Sequence, residues 1–233
     1  MKAFLLAAGN GSRLRPLTDH TPKCMVPIGG TPLIDLWLDA LGQAGVDEVL
    51  VNLHHLSGIV AEHLRQRREP PIVLTAFEPD LLGSAGTLRH RRDWVRDEQF
   101  FLAINADNLT DFDLRRLIDF HRAGDSPATL TVFRAEHPSR CGIVELDPHG
   151  VVTRFTEKPS EPVSNLANAG LYAFDPRILS EIPDTSPVDI GLGLLPRLVG
   201  RARALHLEGY FRDIGTPEAY QQALREWRPK VPS

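Results

Sequence analysis

The chain has 233 residues, 42% hydrophobic and 24% charged, with a formal net charge of −4. This composition excludes disordered, collagen-like and disulfide-rich classes and leaves enough apolar residues for a sizeable core. The acidic balance gives no long-range attraction to nucleic acid or anionic membrane, and no apolar run approaches the roughly 20 residues a membrane helix needs.

Cys24 and Cys141 have no metal-ligand spacing and form no disulfide framework, so both are expected as reduced thiols in a cytoplasmic protein. The apolar stretch after Met1 is too short for a signal-peptide core and runs into a glycine loop. Basic residues are 22 Arg against 4 Lys, which makes each lysine more informative.

Phe4, Leu5, Leu6 and Ala7 form a continuous apolar run followed by Gly9, Asn10 and Gly11, the pattern of a buried parallel strand ending in a turn. Thr31 as N-cap and Pro32 at the first helical position open a helix. Its apolar residues Leu33, Ile34, Trp37, Leu38 and Leu41 recur at helical spacing, and Gly45 ends it. Residues 48–53 read as a second strand, Ser57 as the cap of a helix reaching residue 67, and 71–77 as a third strand. A glycine turn and helix follow at 83–95, a strand at 100–105, and a helix at 113–122 with Leu114, Leu117 and Ile118 on one face.

Strands separated by helices predict an α/β protein with a mainly parallel, doubly wound sheet. After residue 127 shorter, often antiparallel strands are expected at 129–132, 142–144, 151–152 and 171–174. Pro148, His149 and Gly150 read as a hairpin turn between two of them. Helices are expected at 190–198 and 217–227. With no repeat or low-complexity linker, residues 1–228 read as one domain, with a break in character near 125 and a tail at 229–233.

The chemistry concentrates in the segment from Ala8 through Gly9, Gly11, Ser12 and Arg13 to Lys23. Glycines directly after a buried strand let backbone N–H groups converge on an anion. A Gly-x-Gly alone is also what a tight turn with surface arginines would show. The dinucleotide fingerprint is not met, because no third glycine follows and Pro16 stands where its helix would run. The P-loop pattern fails too, for want of Gly-Lys-Ser/Thr. What remains is a glycine loop with Arg13 and Lys23 aimed at one end of the sheet, which suits a polyphosphate held by backbone and two cations.

From Gly9 to Lys23 the sequence resembles the signature of the nucleotidyltransferases that make nucleotide sugars. The resemblance continues at Leu82-Gly83-Ser84-Ala85-Gly86-Thr87, at Asn105-Ala106-Asp107 with Ala for the family's Gly, and at Glu157-Lys158-Pro159. Asn168-Ala169-Gly170 and Asp213-Ile214-Gly215-Thr216-Pro217 complete it in the family's order. It implies a Rossmann-like three-layer α/β/α sandwich with a small antiparallel sugar-binding region. It also implies the reaction of a nucleoside triphosphate with a sugar 1-phosphate to give an NDP-sugar and pyrophosphate. Residues 1–125 would then form the nucleotide half and 126–228 the sugar-phosphate half. Family members often carry a C-terminal β-helix; here the last motif falls near the chain end, so none is expected.

The resemblance also implies roles. Ala8, Gly9, Gly11, Ser12, Gly83, Ser84 and Gly86 would bind the nucleotide, and Arg13 and Lys23 its phosphates. Asp107 follows an apolar strand, so it sits at a carboxyl sheet end, where open α/β sheets bind ligands. A turn role stands beside this for Asp107, as it does for Asp213. With the resemblance the two become ligands of Mg2+, which takes few hard oxygen ligands and keeps sites for phosphate and water. Lys158 would meet the sugar phosphate, Glu157 and Asn168 the sugar hydroxyls, and Gly142 the sugar by its backbone. Glu78 could accept from a base N–H, with a cap or surface role as the plainer reading. His54, His55 and the run Arg89-His90-Arg91-Arg92 are read as packing and solvated-face residues.

The Leu82–Gly86 loop resembles that of mannose-1-phosphate guanylyltransferases, and the overall short form resembles heptose-1-phosphate guanylyltransferases, which points to GTP with a manno-configured sugar. The alternatives are a uridylyltransferase for N-acetylmuramic acid 1-phosphate and, more distantly, a choline-phosphate cytidylyltransferase. Outside this class stand a non-catalytic nucleotide-sugar sensor and a dinucleotide-dependent oxidoreductase. Partners are expected to be the two small substrates, with neither nucleic acid nor membrane and a homodimer left open.

Overall fold

The computed structural model describes residues 1–228; the expected tail, 229–233, lies outside them. The chain divides into two compact units interleaved in sequence. One holds Met1–Asp80, Ile104–Leu114 and the chain from Gly209 onward; the other holds Leu81–Ala103 and Arg115–Glu208.

In the first unit, β1 (Lys2–Leu6) pairs in parallel with β4 (Glu48–Leu53), and β4 in parallel with β5 (Ile72–Phe77). The intervening helices are α1 (Leu33–Gln43) and α2 (Ser57–Gln66). Leu33, Ile34, Trp37, Leu38 and Leu41 on α1 are buried with Phe4, Val49 and Val51 of the strands. Full burial of such a side chain stabilises by roughly 1.5–3 kcal/mol. Because the strands are parallel, their carboxyl ends share one edge, and the residues just beyond it are Ala7, His54 and Glu78. Ala106 N–H donates to Leu6 O at 3.1 Å, bringing Asp107 to the same edge.

Two short pieces complete this unit. β2 (Pro27–Ile28) pairs antiparallel with β3 (Thr31–Pro32), and β7 (Asn108–Thr110) with β13 (Phe211–Asp213). Thr216 caps α6 (Pro217–Glu226) by accepting from Ala219 N–H. The strand β6 (Phe101–Asn105) passes from the second unit into the first.

The second unit carries α3 (Ser84–His90), α4 (Arg92–Val95), most of α5 (Leu114–Arg122) and a mostly antiparallel set of strands. These are β8 (Ala128–Arg134), β9 (Gly142–Leu146), β10 (Val152–Glu157), β11 (Leu166–Phe174) and β12 (Ala202–His206). β9 lies between β10 and β11, and β8 between β11 and β12; only the β8–β12 pair is parallel. The expected hairpin turn joins β9 to β10, with Gly150 at φ 79° and Asp147 Oδ1 accepting from the N–H groups of His149 and Val151.

The parallel and antiparallel regions are those expected from sequence, while several local signals resolve differently. Thr31 and Pro32 pair as a strand and α1 starts at Leu33, so Thr31 is no cap. Ser57 is already helical; Leu56, at φ 52°, is the residue before it. The helix expected at 83–95 breaks at Arg91. Residues 190–198 form a π turn (Ile190–Leu194) and a 3-10 turn (Leu195–Leu198) rather than an α-helix, in a stretch carrying Gly191, Gly193 and Pro196.

Candidate active site

The first unit assembles a charged cluster around Lys23, which is 9% exposed. Its ammonium donates to Asp107 Oδ2 at 2.8 Å and lies 3.7 Å from Asp213 Oδ1. Arg13 reaches Asp213 Oδ2 at 4.0 Å, with both side chains largely exposed. The β7–β13 ribbon makes this possible, because it pairs Asn108 with Asp213 and so sets Asp107 beside a residue more than a hundred positions away. Trp37 Nε1–H donates to Asn108 O at 2.9 Å and fixes the ribbon to α1. Gly215 closes the cluster: its N–H donates to Asp213 Oδ1 at 2.7 Å, and a Cβ there would lie 2.9 Å from Arg13 Nη2.

The glycine loop is shaped by Gly11, at φ 63°, where a Cβ would stand 2.9 Å from Thr18 Cγ2 and 3.2 Å from Lys23 Cβ. Thr18 Oγ1 and Leu14 N–H both donate to Gly11 O, which pins the turn carrying Ser12 and Arg13. Gly9 is unhindered, and Ala8 is buried at the base of the loop. Glu78 is 4% exposed, neither a surface residue nor a cap, and accepts from Asn52 Nδ2 at 3.0 Å. His54 Nδ1 lies 2.8 Å from Glu78 O and His55 Nε2 3.2 Å from Thr18 O, so both histidines tie loops through backbone carbonyls. Burial pushes the Cys24 thiol up to about 12, which makes it inert as a nucleophile.

In the second unit, the loop that opens α3 is braced by residues 188–190. The N–H groups of Ala85 and Gly86 both donate to Val188 O at 3.0 Å. Ser84 N–H donates to Asp189 Oδ1 at 3.1 Å, its hydroxyl donates to the same oxygen, and Ile190 N–H donates to Ser84 Oγ. Gly83, at φ 77°, cannot be replaced without a clash, since a Cβ would sit 2.4 Å from Val188 O. The N–H groups of Ser84, Ala85 and Gly86 are therefore already engaged within the protein.

The other expected residues of this unit gather near Glu157. Its Oε2 is approached so closely that a Cβ on either Gly142 or Gly191 would lie 2.8 Å away. Lys158, 3.5 Å from Glu157 Oε1, is held at φ 45° by its N–H bond to Cys141 O. Such a conformation costs a non-glycine residue on the order of 1 kcal/mol or more and is typical of functional sites. Asn168 bonds Tyr172 OH through Nδ2 and accepts from Gly170 N–H through Oδ1, so its amide is oriented by its own strand. Arg89 of the basic run pairs with Asp184 at 2.9 Å, a structural role.

Asn52, Asp189 and Gly191 were not singled out from the sequence. Only Asn52 left a signal, as a polar residue inside the apolar run from Val49 to Leu53.

The model of the family described as "Nucleotidyl transferase" matches residues 2–228. The chain belongs to this family. It is 34% identical to a mannose-1-phosphate guanyltransferase of Schizosaccharomyces pombe, over 99% of this chain and 67% of that one. It is 35% identical to a probable mannose-1-phosphate guanylyltransferase 2 of Oryza sativa, over 97% of this chain and 64% of that one. The chain thus spans about two thirds of the length of these relatives. Its fold matches the crystal structure of a putative glucose-1-phosphate thymidylyltransferase from Bacillus anthracis, with a TM-score of 0.82 at 24% identity over 99% of this chain and 98% of that one. Among the described residues no helix is long and apolar enough to cross a membrane.

Proposed function

We propose that the protein condenses GTP with mannose 1-phosphate to give GDP-mannose and pyrophosphate. The observation that carries this reading is the convergence of Asp107, Asp213, Lys23 and Arg13 beside the glycine loop. The named activity of the relatives supplies the choice of guanosine and mannose.

The substrates together bring about six negative charges, so positioning and charge neutralisation are the main tasks. Arg13, largely exposed, is placed to meet the leaving pyrophosphate as charge builds on it. Lys23, buried and fixed, serves as a preset cation next to the two carboxylates. Lys158 receives the attacking sugar phosphate, while Glu157 accepts from sugar hydroxyls between Gly142 and Gly191. Ala8, Gly9, Gly11 and Ser12 supply loop amides to the triphosphate, and Gly83, Ser84 and Gly86 are assigned to nucleotide binding.

Asp107 and Asp213 fit a divalent cation, Mg2+ by preference: both are hard oxygen donors, both are about half exposed, and both already lie within 4.0 Å of one positive charge. Bound there, Mg2+ would offset the charge of the α-phosphate and its bridging oxygen. Nucleoside triphosphate substrates and two unbridged cysteines accord with a cytoplasmic setting.

The test is pyrophosphate release from GTP, UTP, ATP, CTP and dTTP, each with a panel of sugar 1-phosphates and Mg2+. GTP with mannose 1-phosphate is expected to give the highest kcat/KM. Faster turnover with UTP and an amino-sugar 1-phosphate would replace this reading with the uridylyltransferase one.

A further inference from the structure

β5 ends the sheet beside β4, and among the described residues it pairs with no other strand. Ile72 N–H donates to Asp47 O at 2.9 Å, and Glu78 N–H to Leu53 O at 2.8 Å. Alternate residues of a strand bond the same neighbour. Ile72, Leu74 and Ala76 therefore bond β4, and Val73, Thr75 and Phe77 turn their N–H and C=O groups to the open edge. Ile72 is 66% exposed, Leu74 39% and Phe77 59%, and Thr75 is exposed with them.

Sheet edges that avoid association are blunted by charge, by proline or by a covering element. β10 and β12, which end the sheet elsewhere, carry Arg154 and Glu157 on one and Arg203 and His206 on the other. β5 reads Ile72-Val73-Leu74-Thr75-Ala76-Phe77, with no charge and no proline inside it.

We propose that β5 is a self-association edge, on which β5 of a second copy pairs antiparallel about a two-fold axis at Thr75. Thr75 is the middle of the three outward residues, so this register gives the longest overlap. Val73 meets Phe77 of the second copy and Thr75 meets Thr75, each pair exchanging two N–H···O bonds. Aromatic with β-branched and Thr with Thr are favourable cross-strand pairs. On the other face Leu74 lies opposite Ala76. The charges agree with the same axis. Arg68 before the strand and Asp80 after it are exposed, and neither forms a salt bridge among the described residues. An antiparallel copy sets the Arg68 end of each chain against the Asp80 end of the other. The strand thus supplies its own complement, and the contact is isologous and closed. It is also short: a strand of this length spans about 20 Å and falls below the area of a permanent dimer, so a reversible dimer with Kd of roughly 10 µM is expected.

The experiment is sedimentation velocity from roughly 1 to 100 µM on the wild type and T75K, with cross-linking of T75C and V73C by diamide. The wild type is expected to shift from monomer to dimer across that range. T75K sets like charges opposite each other at the axis and is expected to weaken the dimer at least about tenfold. Its unfolding midpoint and turnover should stay at wild-type values, since Thr75 is exposed and its backbone bonds do not run to β4. Opposed Cα atoms at the axis would lie about 5.5 Å apart, so T75C is expected to form a disulfide dimer. V73C, separated from its copy by about 13 Å along the strands, is expected to form none. Oxidised wild type controls for Cys24 and Cys141. Should T75K unfold, the comparison of T75C with V73C decides alone. A wild type still monomeric at about 100 µM overturns the proposal and leaves the edge to a different chain. A dimer that T75K leaves intact, or that V73C cross-links as readily as T75C, overturns it as well.

Discussion

Asp107→Asn and Asp213→Asn are each expected to lower turnover by roughly a thousandfold or more while the fold persists. Both side chains are about half exposed, so neither carries much folding energy. Asparagine keeps the shape and, at 213, still accepts from Gly215 N–H. What is lost is charge at the point where a metal would sit, and metal stabilisation of a phosphoryl transition state is worth several kcal/mol at tenfold per about 1.4 kcal/mol. Initial rates against Mg2+ and Mn2+ concentration, with circular dichroism as the fold control, decide the matter. Near-wild-type turnover at saturating Mg2+ in either variant removes that carboxylate from the metal site.

Lys23→Met is expected to produce a split result. The ammonium lies between Asp107 and Asp213 and competes with any cation they would bind. Methionine keeps the length of the side chain and removes its charge. The half-saturating Mg2+ concentration should therefore fall, because two carboxylates are left facing each other without a counter-ion. Turnover should fall as well, by roughly a hundredfold to a thousandfold, the usual cost of losing one preset positive group at a phosphoryl centre. Tighter metal use with slower chemistry distinguishes a catalytic cation from a merely structural one. Weaker metal use with unchanged turnover would show that Lys23 only organises the carboxylates.

Much of this arrangement was legible in the sequence because its signals are local. The apolar run before Gly9 marks β1, residues 48–53 mark β4 to the residue, and Thr216 with Pro217 marks the start of α6. Short motifs likewise carried Arg13, Lys23, Asp107 and Asp213 into one list. That the two aspartates meet followed only from the family resemblance; the residues alone did not show how. The meeting depends on a three-residue pairing, β7 with β13, too short for any periodicity to declare. The bracing of Gly83–Gly86 by Val188 and Asp189 links residues about a hundred positions apart, and the stretch 190–198 mimics a helix in apolar spacing while its glycines and proline deny it one. Asn52 was overlooked because a single amide in an apolar strand reads as noise until its two partners are seen.

The direct test of nucleotidyl transfer is where the label goes when GTP and mannose 1-phosphate react with Mg2+. Attack on the α-phosphorus sends α-phosphate label into the NDP-sugar and γ-phosphate label into pyrophosphate, in equal amounts and only when the sugar phosphate is present. Label from the γ-phosphate on the sugar, or orthophosphate released without it, would contradict nucleotidyl transfer.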